Sequence, residues 1–236
     1  MKITKIVSLI LVLSLTIVTL VSCGNKYEDL ELMTTEIVTC RNNSLDIKGV
    51  IDYENANISE TDVVSVNSTS EKIVKFDNNK FVFGDECGEA TVEIIVGNKK
   101  GSVSVKVVPY LDYLKAEATK DGASGFSKLN YYAASWLIAN ISTFRNPSSV
   151  SVENVLYIED SVSSNEFNAS YVIMEIRAQN GFGGYNVEYY KVSSGSISVA
   201  EVSSYGGLFK SYNGQRLYTG GSYSVNKAVQ EYISEN

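Results

Sequence analysis

Histidine is absent from all 236 residues. Without an imidazole there is no Ser-His-Asp triad, no Cys-His nucleophile pair and no histidine-ligated zinc. Proline occurs twice and cysteine three times. Basic residues are outnumbered 20 to 27 by acidic ones. A chain this acidic is repelled by phosphate backbones and anionic headgroups, which argues against a nucleic-acid partner. What is abundant is tyrosine, with 16 residues, and glycine, with 17, among many serines and valines. That mixture favours β-structure with frequent turns. The length suits two domains rather than one.

The N-terminus has a layout of its own. Lys2 and Lys5 precede an apolar run from Ile6 to Val21, broken only by small hydroxyl residues, and Leu20-Val21-Ser22-Cys23 closes it. Small residues before a cut mark a secretory signal, and the run is short for a stable membrane span. The tetrapeptide resembles a bacterial lipobox. That resemblance implies removal of residues 1–22, lipidation of Cys23 and anchoring on the outer face of the cell membrane. Removing the segment leaves 18 basic against 27 acidic residues, so membrane attachment is expected from acyl chains rather than charge. Residues 23–33 read as a short acidic tether. Cys40 and Cys87 are then the remaining thiols. They either form a disulfide across a long loop, worth about 4 kcal/mol, or stay unpaired.

From residue 34 to 109 the pattern is strand after strand. Runs at Glu36–Thr39, Leu45–Ile47, Val63–Val66, Ile73–Phe76, Phe81–Phe83, Thr91–Val96 and Ser102–Val108 are separated by Asn, Asp and Gly turns such as Asp77-Asn78-Asn79. In the last run Val103, Val105 and Val107 alternate with Ser102, Ser104 and Lys106. Short strands at this spacing read as a β-sandwich. Val64-Ser65-Val66-Asn67, Ile73-Val74-Lys75-Phe76-Asp77, Gly88-Glu89-Ala90-Thr91-Val92 and the closing valine alternation resemble the bacterial immunoglobulin-like group 2 domain. Asp85-Glu86-Cys87 departs from the small residues usual before the glycine. The resemblance implies a spacer or adhesive module and carries no catalytic residue.

Residues 110–236 read as an α+β domain. Residues 110–122 show no clear pattern. Phe126, Leu129, Ala133, Leu137, Ile141 and Phe144 keep helical spacing, predicting one helix that stops near Arg145-Asn146 because Pro147 disfavours helical geometry before it. Strands follow: Val150, Val152, Leu156 and Ile158 alternate, then Val172, Met174, Ile176 and Ala178, then Tyr185, Val187 and Tyr189. A fourth runs from Ser196 to Val202, and a Gly- and Tyr-rich stretch over 203–223 contains an Asn213-Gly214 turn. A C-terminal helix with Val225, Ala228, Val229, Tyr232 and Ile233 on one side is capped by Ser224. The expected fold is therefore mainly β, a sandwich followed by a long helix packed on an antiparallel sheet. Phe144-Arg145-Asn146-Pro147-Ser148-Ser149 and Asn180-Gly181-Phe182-Gly183-Gly184-Tyr185, taken as a pair, resemble an uncharacterised C-terminal domain of exported Gram-positive proteins. That likeness implies no activity, and Arg145 stands where lysine is common.

Two stretches have the composition of a contact surface. Phe182 and Tyr185 sit in the glycine turn, with Arg177 and Tyr189 behind it, and Tyr205, Tyr212, Tyr218 and Tyr223 lie among Gly, Ser and Asn. The alternatives are a turn whose Phe182 packs on the long helix and a loop packed over the sheet edge. The glycine turn is no dinucleotide fingerprint, since a strand rather than a helix follows it. Glu153, Glu159, Asp160, Glu175 and Glu188 would serve a hydrolase only if two faced each other across a cleft. Asp77-Asn78-Asn79 lacks the ligand spacing of a calcium loop, and no cofactor is expected. The expectation is a lipid-anchored, non-catalytic module that contacts a protein, peptide or glycan outside the cell. The alternatives are an assembly partner of another envelope protein and a hydrolase of envelope polymers. A concave aromatic cleft favours the first, a flat apolar patch or open sheet edge the second, and paired carboxylates the third.

Overall fold

A computed structural model of the chain describes residues 27–62, 64–159, 169–193, 197–199, 204, 206–207, 215–220 and 222–236. The signal segment, Cys23, Asp160, Tyr205, Tyr212 and the Asn213-Gly214 turn lie outside the described residues. The first half is built from β1 (Glu28–Asp29), β2 (Glu36–Cys40), β3 (Ser44–Asp46), β4 (Val64–Ser68), β5 (Val74–Asp77), β6 (Lys80–Phe83), β7 (Gly88–Val96) and β8 (Lys99–Val108). The valine alternation places Val103, Val105 and Val107 of β8 in the core and leaves Ser102, Ser104 and Lys106 in solvent. β7 pairs antiparallel with one edge of β8 and carries β4 beyond it, while β1 and β2 both pair parallel with the other edge. A second sheet, β3-β6-β5, closes the sandwich. Val74, Phe81 and Phe83 from it meet Val92, Ile94, Val103 and Val105 in one apolar cluster. The β5–β6 hairpin turns on Asn78 and Asn79 at φ +49° and +60°, the left-handed pair that a two-residue hairpin needs and asparagine tolerates.

The part of the expected tether that lies in the described residues is bound to the sandwich. Glu28 and Leu30 donate their N–H groups to the carbonyls of Asn98 and Lys100 at 2.9 and 3.0 Å, and Leu30 is in the core. Gly101 permits this approach, since a Cβ there would lie 2.9 Å from Leu32 Cδ1. The open edge of β8 next to two leucines wins over the acidic composition that suggested a tether.

The second half contains α1 (Tyr110–Thr119), α2 (Gly125–Ala139), β9 (Ser151–Glu159), β10 (Tyr171–Gln179), β11 (Tyr185–Val192), β12 (Ile197–Val199), β13 (Arg216–Thr219) and α3 (Ser222–Glu235). The strands form one antiparallel sheet in the order β12-β11-β10-β9-β13, and the helices cover one face of it through a shared core. Helix α1 falls where no pattern was expected. Tyr110, Leu114 and Ala118 bury a single stripe of it, and Pro109 precedes it at φ −54°. Helix α2 ends at Ala139, five residues short of Phe144. The Asn140 side chain donates to the Trp136 carbonyl at 2.9 Å, the Asn140 N–H bonds the same turn, and a 3₁₀ turn takes over at Ile141–Thr143. Ser124 caps its start by accepting from the Ser127 N–H at 3.2 Å. Helix α3 begins at Ser222, so Ser224 lies inside it rather than capping it.

Strand β9 carries a β-bulge. Glu175 pairs with Asn154 and Ile176 with Val152, leaving Glu153 as the extra residue. Val150 and Val152 therefore share the helix-covered face with Val155 and Tyr157, whereas Leu156 and Ile158 face the other way with Tyr171, Ile173 and Tyr189. The uninterrupted alternation expected from Val150 to Ile158 fails at that one residue.

The two halves are joined by polar contacts around a buried thiol. Cys40, at the end of β2, belongs to the core of the second half. Arg41 pairs with both Glu231 and Glu235 of α3, and Glu231 also accepts the Tyr110 N–H. The Lys227 ammonium lies 3.9 Å from the Cys40 sulfur and 4.4 Å from the centre of the Tyr110 ring. Burial raises the Cys40 pKa, and nearby Lys227 only partly offsets it. No disulfide forms: Cys40 is buried and free, and Cys87 exposed and free. Cys40 sits opposite Val108 on one edge of β8, and Gly88, next to Cys87, sits opposite Val107 on the other edge. β2 and β7 are thus two strand spacings apart where these cysteines end or precede them, roughly 9–10 Å, and a disulfide needs Cα atoms within about 7 Å.

In a soluble form starting at Gly24, maleimide should label Cys87 in the folded chain and Cys40 only after unfolding. Equal labelling of both under native conditions contradicts the burial of Cys40. Glu231→Ala should cost about 1–3 kcal/mol in urea unfolding, because it strands the Tyr110 N–H and leaves the half-buried Arg41 guanidinium with Glu235 alone.

Candidate functional site

The segments Phe144–Ser149 and Asn180–Tyr185 are brought together in space by Gln179. Beyond the 3₁₀ turn at Ile141–Thr143, Phe144-Arg145-Asn146 runs into a second such turn at Pro147–Ser149. Asn146 Nδ2 donates to Gln179 Oε1 at 2.7 Å, and the Gln179 N–H donates to Ser149 Oγ at 2.8 Å. Gln179 Nε2 in turn donates to the Gly183 carbonyl at 3.1 Å. One amide side chain thereby ties the end of β10 to both turns.

The β10–β11 loop is held from within by Asn180. Its Oδ1 accepts the N–H groups of Phe182 and Gly184, each at 3.0 Å, and its Nδ2 donates to Asn186 Oδ1 at 3.2 Å. The backbone closes the loop again, with Asn180 N–H to the Gly184 carbonyl at 2.7 Å and Gly183 N–H to the Asn180 carbonyl at 3.2 Å. Gly183 takes φ +83°, a region that side chains resist. The apex residue, Phe182, is 101 % exposed. Across from it the Arg145 guanidinium lies against Gly181, where an added Cβ would meet Nε at 3.5 Å.

Between these turns lies a cleft of about 540 Å³. Ile176 and Ala178 of β10 line it together with their cross-strand neighbours Glu188 and Asn186 of β11, and Tyr190 extends it. Phe144, Arg145 and Phe182 form the mouth. The Tyr190 hydroxyl donates to Glu188 Oε2, and its ring packs 4.9 Å from Trp136. Burial, reinforced by the Glu188 carboxylate, pushes the Tyr190 pKa up to about 12. Arg145 makes no ion pair among the described residues, with Glu188 or any other carboxylate.

Of the aromatic sequence candidates among the described residues, Phe182 alone lines this cleft. It projects into solvent and does not pack on α2. Tyr185 lies opposite Gln179 on the other face of the sheet, 4.0 Å under the Arg177 guanidinium. Tyr189 faces the same way and is buried among Leu156, Ile158, Tyr171 and Ile173. Tyr218 lies at the far edge on β13, against Phe126 at 5.2 Å and Tyr157 at 6.2 Å. The carboxylates are equally dispersed. Glu153 occupies the bulge, Glu175 accepts from Asn154 at 2.6 Å on the outer face, and buried Glu159 pairs with Arg216 at 3.2 Å. Among the residues lining the cleft Glu188 is the one carboxylate. Arg145, Asn186 and Tyr190 were not singled out from sequence. The period-two rule applied across the β10–β11 turn would have found the last two, since the residues between Tyr185, Val187 and Tyr189 share the face of Ile176 and Ala178.

No family model matches the chain, and no curated protein does. Among solved structures, the S-layer protein rSbsC(31-844) is similar at 12% identity and TM-score 0.25 over 75% of this chain and 25% of that one. The structure of surface layer protein SbsC, domains 1-6, gives the same identity and TM-score over 75% and 26%. The chain spans about a quarter of each, and likenesses at this TM-score carry no argument.

Asn180→Ala should destabilise the chain by about 0.5–1.5 kcal/mol, because two exposed loop N–H groups exchange their acceptor for water. Phe182→Ala should change urea stability by less than about 0.5 kcal/mol. A large loss in the second variant would mean that the ring packs rather than projects. Tyr113 and Tyr190 both titrate near 12 when folded, against 10.0 ordinarily, chiefly through burial. The folded chain thus retains protons that the unfolded chain loses, so this stability is complete below about pH 10 and drains as pH rises towards 12. Denaturant midpoints at pH 9 and 11 should show that fall, and Tyr190→Phe should reduce it.

Proposed function

We propose that the chain is a lipoprotein held on the outer face of the cell membrane through Cys23, and that it binds a ligand outside the cell, without catalysis, through the cleft of its second half. The observation that carries this reading is Phe182. A phenylalanine wholly in water gains nothing for folding, yet the Asn180 and Gln179 hydrogen bonds hold its loop in one shape. An aromatic side chain on a preorganised loop, next to an arginine with no ion pair among the described residues, is the composition of a binding hot spot. The concave aromatic shape favours a soluble ligand over a flat assembly surface, and a lone carboxylate in the lining gives no support to an acid–base pair.

The first half suits the role of a spacer, as its resemblance to immunoglobulin-like group 2 domains implies. β1 pairs with Lys99 and Lys100 at the start of β8, whereas the second half follows the last residues of that strand. The point where the chain joins the sandwich and the point where the second half begins are therefore separated by the length of a ten-residue strand, about 30 Å.

The soluble form starting at Gly24 should bind envelope extracts saturably, and Phe182→Ala should weaken that binding at least about tenfold, or 1.4 kcal/mol. Binding that survives the substitution, or that resides in residues 34–109 alone, overturns the reading of the cleft. In cells, Cys23→Ala should move the protein from the membrane fraction to the medium. Continued membrane retention contradicts the lipid anchor.

A further inference from the structure

The cleft's polar groups specify a ligand chemistry, and the following inference rests on the binding reading above. Arg145 is the cation of the lining and has no carboxylate partner among the described residues, in a chain with 27 acidic side chains. Its planar fork matches a carboxylate, which can accept two parallel N–H bonds. Glu188 spends one oxygen on the Tyr190 hydroxyl and keeps the other as an acceptor. Asn186 has its Oδ1 occupied by Asn180, which leaves its NH₂ as a donor. Phe182 supplies an apolar face.

A ligand that satisfies all four groups carries one carboxylate, hydroxyls that both donate and accept, and a flat C–H face. A pyranose ring with a carboxylate substituent has that combination. An extended peptide does not fit as well. It is held by backbone partners, and in this loop the N–H groups of Asn180, Phe182, Gly183 and Gly184 are all engaged internally. The volume of about 540 Å³ lies within the range of small-molecule sites. The acidity of the whole chain adds a limit. Densely charged polyanions are repelled beyond the reach of one guanidinium, so the carboxylate sugar must be flanked by neutral residues.

We propose that the cleft binds an acidic saccharide, its carboxylate on Arg145, its ring face on Phe182 and its hydroxyls on Glu188 and Asn186. Calorimetric titration of the soluble form starting at Gly24 tests this with sialyllactose, a glucuronate-containing disaccharide, the carboxyl-reduced counterparts of both, and a hexapeptide of mixed sequence. At least one acidic sugar should bind, its reduced counterpart at least about tenfold more weakly, as expected for losing a charge-assisted bidentate pair. Arg145→Ala should erase the preference for the acidic form, Arg145→Lys should retain part of it, and Phe182→Ala should weaken both forms alike. Thermal melts establish that each variant is folded. Equal binding of acidic and reduced sugars, or no binding of either acidic sugar, overturns the saccharide inference. If the hexapeptide or an envelope protein binds instead and depends on Phe182, the cleft remains the contact site and its ligand is not an acidic sugar. If no sugar, peptide or envelope component shows binding that depends on Phe182, both readings fall.

Discussion

The carboxamide of Asn180 sets the shape on which the rest of the site depends. By accepting two backbone N–H groups and donating to Asn186, it fixes a loop whose apex would otherwise fold its phenylalanine onto the nearest apolar surface. Gln179 repeats the device one residue earlier, bonding to Asn146, Ser149 and Gly183. The consequence is that the segment after α2 and the β10–β11 turn are tied together by hydrogen bonds. A loop this constrained loses little entropy on binding, which makes an exposed aromatic ring useful rather than merely costly.

A second polar hub keeps that body in register with the sandwich. Glu231 accepts from Arg41 at the end of β2 and from the Tyr110 N–H at the start of α1, and Cys40 is buried in the neighbouring core. These contacts bridge residues nearly two hundred positions apart, so the C-terminal helix reports directly to the first sheet. A surface ion pair contributes little, but a half-buried carboxylate that also satisfies a backbone donor is costly to remove. The proposed spacer role needs such a junction, since a ligand site in the second half can be held off a membrane only if the two halves do not swing.

Much of this architecture was legible in the sequence where one rule acted alone. The valines of β8 alternate without interruption, and the sheet buries them as that alternation dictates. The Phe144–Ser149 and Asn180–Tyr185 motifs stood out in the sequence only through a resemblance, and their contact through Gln179 is a tertiary fact. Misreadings arose where two rules competed. One extra residue, Glu153, turned Leu156 and Ile158 to the opposite face of the sheet, and no composition signal marks a bulge. Tyr185 and Tyr189 drew attention as tyrosines, but strand parity sends them away from the cleft. Asn140 ended α2 well before Pro147 could, because a side-chain amide satisfies the last carbonyls sooner than proline forbids the next turn. Arg145 was visible only as a departure from lysine, and its exposure beside Gly181 is a tertiary fact.

Nuclear magnetic resonance of the isotope-labelled soluble chain, titrated with glycan and protein fractions of the cell envelope, addresses the central claim most directly. If the cleft is the contact site, amide shifts will cluster at Arg145, at Gly181–Gly184 and along the Asn186–Tyr190 stretch, and leave the sandwich unmoved. Shifts confined to the sandwich strands, or to the outer sheet face around Tyr185 and Val187, would contradict it.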